Sequence, residues 1–184
     1  MHSFHSFLDL VKARQSTRAY DNRPVENEKI NRCLEAARLS PSACNAQPWK
    51  FIVVNDPDIK NNLADATQDR LLPLNHFTRQ APLHIAVVRE KANMTSKLGQ
   101  VVKDIEYPLM DIGIAVIHFC LQAVEEGLGT CIIGWFSQKK VKKLLSIPWD
   151  KRVELIITVG YPATDEIRPK KRKPAEEVVS YNKY

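Results

Sequence analysis

Apolar residues recur every three or four positions along several stretches of the chain, which is the spacing of an amphipathic helix. The most apolar stretch, 107–126, has apolar side chains almost all around it, so we expect it to be buried on more than one side and to end at Gly127. Typical helix-start residues, Asp56 before Pro57 and Ser137, precede two shorter stretches. The predicted helices are an opening one that ends near Arg14, a second that stops before Pro41, and those at 57–69, 107–126 and 138–145.

Runs of β-branched and aromatic residues, bounded by turn residues, predict four strands at 49–54, 83–88, 129–133 and 153–159. Mixed helices and strands of this kind indicate an α+β layer architecture in one domain, 1–184. The segment 89–106 is polar and lacks clear periodicity, so we expect it to be mobile, and it could be helical in part. The basic tail, 163–184, should be extended, and either disordered or docked on another surface.

Composition narrows the class of protein. Hydrophobic residues make up 44% of the chain and charged residues 26%, which is typical of a globular protein. No apolar run approaches the roughly 20 residues needed to cross a bilayer. The N-terminus lacks the pattern of a signal peptide, so we expect a cytoplasmic protein without a membrane partner.

The four cysteines form no Cys-x-x-Cys pair, and the five histidines are scattered. We therefore expect no metal site and four reduced thiols, of which Cys33 and Cys120 lie in apolar helical patterns and should be buried.

The net charge of +6 raises the possibility of a nucleic-acid-binding module. However, much of the charge lies in two runs, 139–143 and 168–173, which are more simply solvated surfaces. The chain has no dinucleotide-binding glycine fingerprint, no phosphate-binding Walker loop and no Gly-x-Ser-x-Gly elbow. Since no nucleophile or metal centre is evident either, any chemistry should come from a bound organic cofactor.

Three segments could hold such a cofactor. Arg14 and Arg18 flank a hydroxyl and could face one side of a continuing helical turn, suited to a phosphate. The polar loop 40–49 is longer than a helix-to-strand connection usually needs, and its small residues permit a flat ring to approach closely. Lys170 and Arg172 lie in the basic tail, which a phosphate could hold down through charge-assisted hydrogen bonds.

At these segments the chain resembles the nitroreductase family of FMN enzymes. The family motif Arg-x-Ser-x-Arg/Lys is matched by Arg14, Ser16 and Arg18, and Pro-Ser-x-x-Asn-x-Gln-Pro-Trp is matched at 41–49. A Gly-Leu-Gly and a strand ending in Ile-x-Gly and an aromatic are matched at 127–129 and 132–135, and Lys-x-Arg-x-Pro is matched at 170–174. The resemblance runs from about residue 7 to residue 180.

The resemblance implies a three-layer fold with a central, mostly antiparallel sheet flanked by helices, in a homodimer with two FMN sites at the subunit interface. The phosphate, ribityl chain and pyrimidine end of FMN would contact Arg14, Gln15, Ser16 and Arg18, joined at the phosphate by Lys170 and Arg172. Ser42, Ala43 and Asn45 would reach the flavin from the partner subunit, and Pro41 of the same loop would also contribute to cofactor binding. The backbone of Ile132, Ile133 and Gly134 would lie against the flavin ring, with an amide N–H directed at N5.

The function implied is two-electron reduction of nitroaromatic, quinone or related acceptors, with NADH or NADPH as donor and ping-pong turnover. A dehalogenase or a dehydrogenase on the same scaffold is the alternative among enzymes. A basic nucleic-acid-binding module and a flavin carrier without turnover are the alternatives from other classes.

Overall fold

The computed structural model of the chain describes residues 4, 6–68, 74–91 and 105–184. Over this part, five helices and four strands form in the predicted order. The helices are α1 (Phe7–Ala13), α2 (Asn27–Arg38), α3 (Pro57–Thr67), α4 (Tyr107–Glu125) and α5 (Gln138–Leu144). The strands are β1 (Trp49–Val54), β2 (Leu83–Arg89), β3 (Gly129–Ile133) and β4 (Arg152–Gly160).

The predicted helix ends are confirmed to within a few residues, because the caps are those that the sequence indicates. The Asp56 carboxylate accepts hydrogen bonds from the first turn of α3, and Gly127 follows α4 at a φ of +74°, which favours glycine. Helix α3 ends at Thr67 rather than at Asp69. Strand β2 includes Arg89, where the predicted mobile segment was expected to begin; most of that segment, 92–104, lies outside the described residues.

The four strands form one sheet in the order β1-β2-β4-β3, and every neighbouring pair is antiparallel. The outer side of β3 is covered by the chain that follows α1. Ser16 forms a parallel bridge with Thr130, and the Thr17 N–H donates to the Thr130 carbonyl at 2.9 Å. The segment after α1 therefore extends the sheet beyond β3, but only by this single bridge.

Alternation along the strands gives the sheet two apolar faces. Ile85 and Val87 of β2 pack with α2 and α4, whereas Ala86 and Val88 pack with α3 and α5. Helices thus cover both faces of a mostly antiparallel sheet, and the predicted three-layer α+β fold is confirmed.

The expectation that no apolar run approaches a membrane-spanning length is wrong, because helix α4, with 19 residues, is long and apolar enough by length and composition alone to cross a membrane. Its apolar composition has a structural reason here, because one side of it lies in the core. Phe119 and Cys120 on that side are fully buried, and Cys33 of α2 is fully buried against them, as predicted for both thiols.

A histidine inside this fold predicts how stability depends on pH. His84 is fully buried in β2, and its Nε2 atom lies 3.1 Å from the Thr78 carbonyl oxygen. Burial, with a smaller contribution from the charge of Lys60, lowers the pKa of His84 to about 4. Between about pH 4 and 6.5 the imidazole of His84 is therefore protonated in the unfolded chain but neutral in the folded one. The free energy of unfolding should fall by up to about 3 kcal/mol as the pH drops from about 6.5 to about 4.

Chemical denaturation across this pH range measures the effect. His84→Gln should flatten the dependence, whereas His76→Gln, at an exposed histidine of the preceding turn, should leave it unchanged. A His84→Gln protein with the wild-type pH dependence would contradict the assignment.

Candidate functional site

The segment that follows α1 is extended rather than helical. Helix α1 ends at Ala13, and Arg14 already has extended backbone angles (φ −59°, ψ 120°). The expectation that Arg14 and Arg18 share a face through a persisting helical turn is therefore wrong. They can still share a face, because alternate residues of an extended chain, here Arg14, Ser16 and Arg18, point to the same side.

The surroundings of a buried thiol show where these side chains lie. Burial raises the pKa of Cys131, while Arg18, the Ser16 hydroxyl, Arg168 and Arg14 all act to lower it. These groups therefore lie near the Cys131 side chain, at the middle of β3.

The intervening residues, Gln15 and Thr17, face the other side, where they line a cavity of about 420 Å³ with Gly127 and Gly129. Thr17 approaches β3 so closely that a Cβ on Gly129 would lie 2.4 Å from its Oγ1 atom. Gly129 is thus the residue that lets this segment dock against the sheet edge.

The basic tail runs antiparallel along the same segment. Tyr20 bridges Pro162, and the Ala163 N–H donates to the Ala19 carbonyl at 3.0 Å. Farther along, the Lys170 ammonium donates to the Arg14 carbonyl at 2.7 Å.

Gln15 and Arg168 fasten the middle of this contact. The Gln15 amide donates to the Glu166 carbonyl at 2.7 Å and accepts from the Arg168 N–H and Nε at 3.2 and 3.1 Å. Arg168 also donates to the Ser16 carbonyl. Gln15, predicted to contact the cofactor, is thus engaged with the tail, and Arg168 joins the site although the sequence analysis did not select it.

Five cations consequently come together, and we call them the cation cluster: Arg14, Arg18, Arg168, Lys170 and Arg172. Partial burial lowers the pKa of Lys170, and the charges of Arg14, Arg172 and Arg168 lower it further. Among the described residues, no carboxylate lies within 4 Å of a charged nitrogen of any of the five. Like charges held together without counter-charges are unfavourable, and a bound anion would remove that cost.

The end of β3 adjoins the cation cluster. Because Ser16 pairs in parallel with Thr130, Arg18 follows to the level of Ile132. Ile133 points into the core, whereas Gly134 and Trp135 beyond it are exposed. The backbone at Gly134 is therefore exposed at the end of β3, beside the cations.

The loop that contains Pro41, Ser42, Ala43 and Asn45 is compact and internally bonded. The Ser42 hydroxyl accepts from the Gln47 N–H at 3.0 Å, and the Gln47 amide donates to the Asn45 side chain at 3.0 Å. Cys44, Asn45 and Gln47 have φ values of +51°, +50° and +45°. These contacts hold the loop in a conformation that side chains rarely adopt.

Asp111, in the second turn of α4, fastens this loop to the helix. Its Oδ1 atom accepts from the Ala43 N–H at 3.0 Å, and its side chain is almost fully buried. Cys120, on which the charge of Arg14 acts, lies nine residues farther along the same helix, a rise of about 13 Å. One chain therefore brings the cation cluster and the end of β3 together but leaves the loop at the other end of α4.

Comparisons with known proteins show what the chain as a whole is similar to. The sequence model of the Nitroreductase family matches residues 11–161. The chain is 29% identical to an oxygen-insensitive NADPH nitroreductase of Helicobacter acinonychis, with 94% of each chain covered, and 27% identical to an iodotyrosine deiodinase of Thermotoga neapolitana, with 96% and 97% covered.

Solved structures extend the likeness to three dimensions. An FMN-dependent nitroreductase of Clostridium difficile superposes with a TM-score of 0.78 at 28% identity, covering 97% of this chain and all of that one. The family match spans most of the chain, including both the segment after α1 and the end of β3. The chain therefore belongs to the nitroreductase family of FMN-dependent oxidoreductases.

Proposed function

We propose that this chain uses NADH or NADPH to reduce electron-poor acceptors, such as nitroaromatics and quinones, by ping-pong turnover. The observation that carries the proposal is the cation cluster, which has no counter-charge among the described residues and lies beside the open backbone at the end of β3. That combination suits a ligand with a phosphate at one end and a flat ring at the other. FMN has both.

The chain's own residues would divide the work of binding. Arg14, Lys170 and Arg172 would hold the phosphate, each through a charge-assisted hydrogen bond. Arg18 is at the level of Ile132, where its charge would favour added negative charge at the pyrimidine end of the ring. Backbone N–H groups near Gly134 would face N5.

When bound, FMN would supply the redox chemistry, namely hydride transfer from the nicotinamide and two-electron reduction of the acceptor. The protein then needs no acid or base of its own and contributes placement and charge. The four free cysteines and the nicotinamide donor both fit the reducing cytoplasm, where we place the enzyme.

A second copy of the chain would complete the site. Helix α1 has no buried residue, although Phe7, Leu8 and Val11 are exposed on it. Exposed apolar side chains also follow one face of α4, including Ile114 and Ile117. Exposed apolar side chains grouped in this way on two helices usually mark an interface between proteins.

The position of the α4 stripe supports a symmetric pairing. The stripe consists of the exposed Met110, Ile114 and Ile117 and the half-buried Leu121. Its centre lies between Ile114 and Ile117. Two copies packed antiparallel about that point would bring the loop end of one α4 to the level of the partner's cation-cluster end. The loop and the cluster, separate in one chain, would then contribute to one site.

Iodotyrosine deiodination is the second candidate, because a relative of that name matches almost the whole chain at 27% identity. Residues 92–104, which would distinguish the two, lie outside the described residues. Comparing turnover of iodotyrosine with that of a nitroaromatic under the same conditions discriminates between them.

Steady-state kinetics test the proposed activity. The FMN-loaded protein should oxidise NADH or NADPH when a nitroaromatic or quinone is present, and double-reciprocal plots at several acceptor concentrations should be parallel, because donor and acceptor share one ring face. Intersecting lines would contradict the shared face. FMN binding without turnover of any such acceptor would indicate a flavin carrier.

A pair of tail variants tests the phosphate assignment. Arg172→Ala should weaken FMN binding by roughly ten- to a hundredfold, since a charge-assisted hydrogen bond contributes about 1.5–3 kcal/mol. Lys171→Ala should have much less effect, because neighbouring side chains of an extended tail point to opposite sides. Quenching of flavin fluorescence on titration of the apoprotein measures both.

Riboflavin, which lacks the phosphate, is the control ligand, and neither substitution should change its binding much. Equal losses in the two variants would reduce the tail to general electrostatics. An equal loss for riboflavin would remove the phosphate assignment.

A second matched pair tests the assembly. Ile117 on α4 and Ile59 on α3 are equally exposed, at 38% and 39%, but only Ile117 lies on the proposed interface. Ile117→Asp should convert the dimer to a monomer and abolish FMN binding, because a buried unpaired carboxylate is costly at an interface. Ile59→Asp should leave both unchanged, as light scattering and FMN titration would show. A monomeric Ile117→Asp protein with normal FMN affinity would contradict the shared site.

A further inference from the structure

The side-chain amide of Asn75 joins two parts of the chain that lie far apart in sequence. Its Nδ2 atom donates to the Thr67 carbonyl at the end of α3, at 3.0 Å, and to the Trp135 carbonyl beyond β3, at 3.2 Å. Asn75 makes these bonds from a left-handed backbone conformation (φ 61°, ψ 17°), which asparagine tolerates better than most residues. The amide therefore bridges helix α3 and the end of β3.

The bridge has a rigid support. The Thr78 N–H and hydroxyl both donate to the Asn75 carbonyl, at 3.0 and 2.7 Å, and Thr78 is fully buried. The hydroxyls of Thr78 and Thr67 are hydrogen bonded at 2.9 Å. Since buried polar groups that are satisfied in this way fix local geometry, Asn75 has little freedom to shift.

The backbone next to the Asn75 bond contains a glycine. Gly134 is exposed, and a Cβ at this position would meet nothing within 4 Å. The following residues are tied to α3 by the Asn75 bond and by the Ser137 N–H, which donates to the Ala66 carbonyl at 2.8 Å. Because Gly134 has no side chain to restrict its backbone angles, its orientation depends more on hydrogen bonds that its neighbours make.

We propose that Asn75 is a positioning residue that sets the orientation of the backbone N–H groups around Gly134 and thereby tunes the redox potential of the flavin. The inference rests on the proposed function, because it takes the flavin ring to lie at the end of β3. Asn75 acts through the Trp135 carbonyl: it holds the peptide unit that follows Trp135 and thereby limits the positions open to the backbone at Gly134.

The expected effect differs between the two redox states of the cofactor. Oxidised flavin carries a lone pair on N5 that accepts a hydrogen bond from a backbone N–H, whereas in reduced flavin N5 is protonated and cannot accept it. Misplacing that N–H should therefore weaken binding of oxidised FMN more than binding of reduced FMN, and the midpoint potential should rise.

Asn75→Gly is the variant of choice, since glycine keeps the left-handed backbone and removes only the amide. Because one hydrogen bond to the ring is lost, we expect the affinity for oxidised FMN to fall about three- to tenfold. The two-electron midpoint potential should then rise by about 15–30 mV. Riboflavin should lose affinity equally, because the effect lies at the ring. Asn62→Gly, at an exposed asparagine of α3, controls for a general loss of stability.

Titration of the apoprotein with FMN and riboflavin, and dye-equilibrated reduction of the FMN-loaded dimer, give the two readouts. An unchanged potential in Asn75→Gly, or the same shift in Asn62→Gly, would overturn the proposal. A wild-type protein that does not bind FMN would instead refute the proposed function. Asn75→Asp, which also tolerates the left-handed conformation but lacks the donor, is the second variant; if neither variant folds, Asn75 is a structural residue and the proposal fails.

Discussion

The antiparallel contact between the tail and the segment after α1 is the constraint on which the candidate site depends. It brings cations from two regions about 150 residues apart to the outer side of β3, and hydrogen bonds to backbone carbonyls, from side chains and from backbone N–H groups, hold it in place. Gly129 makes it possible, because Thr17 occupies the space that a side chain there would need. The fold thus holds like charges together despite their repulsion, and a bound anion would be stabilised by them.

The second feature of the site is its division along α4. One side of the helix fills the core, and the other exposes an apolar stripe with the loop at one end and the cation cluster near the other. In the proposed dimer, such a helix would pack in the core of its own subunit on one side and against the partner subunit on the other. The loop and the cation cluster of one chain would then each be half of a site.

Much of the fold could be predicted from sequence, because its signals are local: the Asp56 cap, the Gly127 stop and alternating strand residues each act within a few positions. Non-local contacts could not be predicted in this way. The sequence indicated that Arg14 and Arg18 belong together but assigned them to a helical turn, since the pairing of Ser16 with the distant Thr130 leaves no local trace. Arg168 and Asn75 were missed for the same reason.

The central claim is that each FMN site draws on two subunits, and subunit mixing tests it most directly. Arg14→Glu should disable the cation cluster, and Ser42→Phe should disable the loop, so that neither homodimer binds FMN well. When the two variants are co-expressed with different tags and the mixed dimer is isolated, one of its two sites combines an intact cluster with an intact loop. We predict that the mixed dimer binds one FMN with wild-type affinity; a mixed dimer that binds no FMN, or binds it no better than the parent variants, would contradict a site shared between subunits.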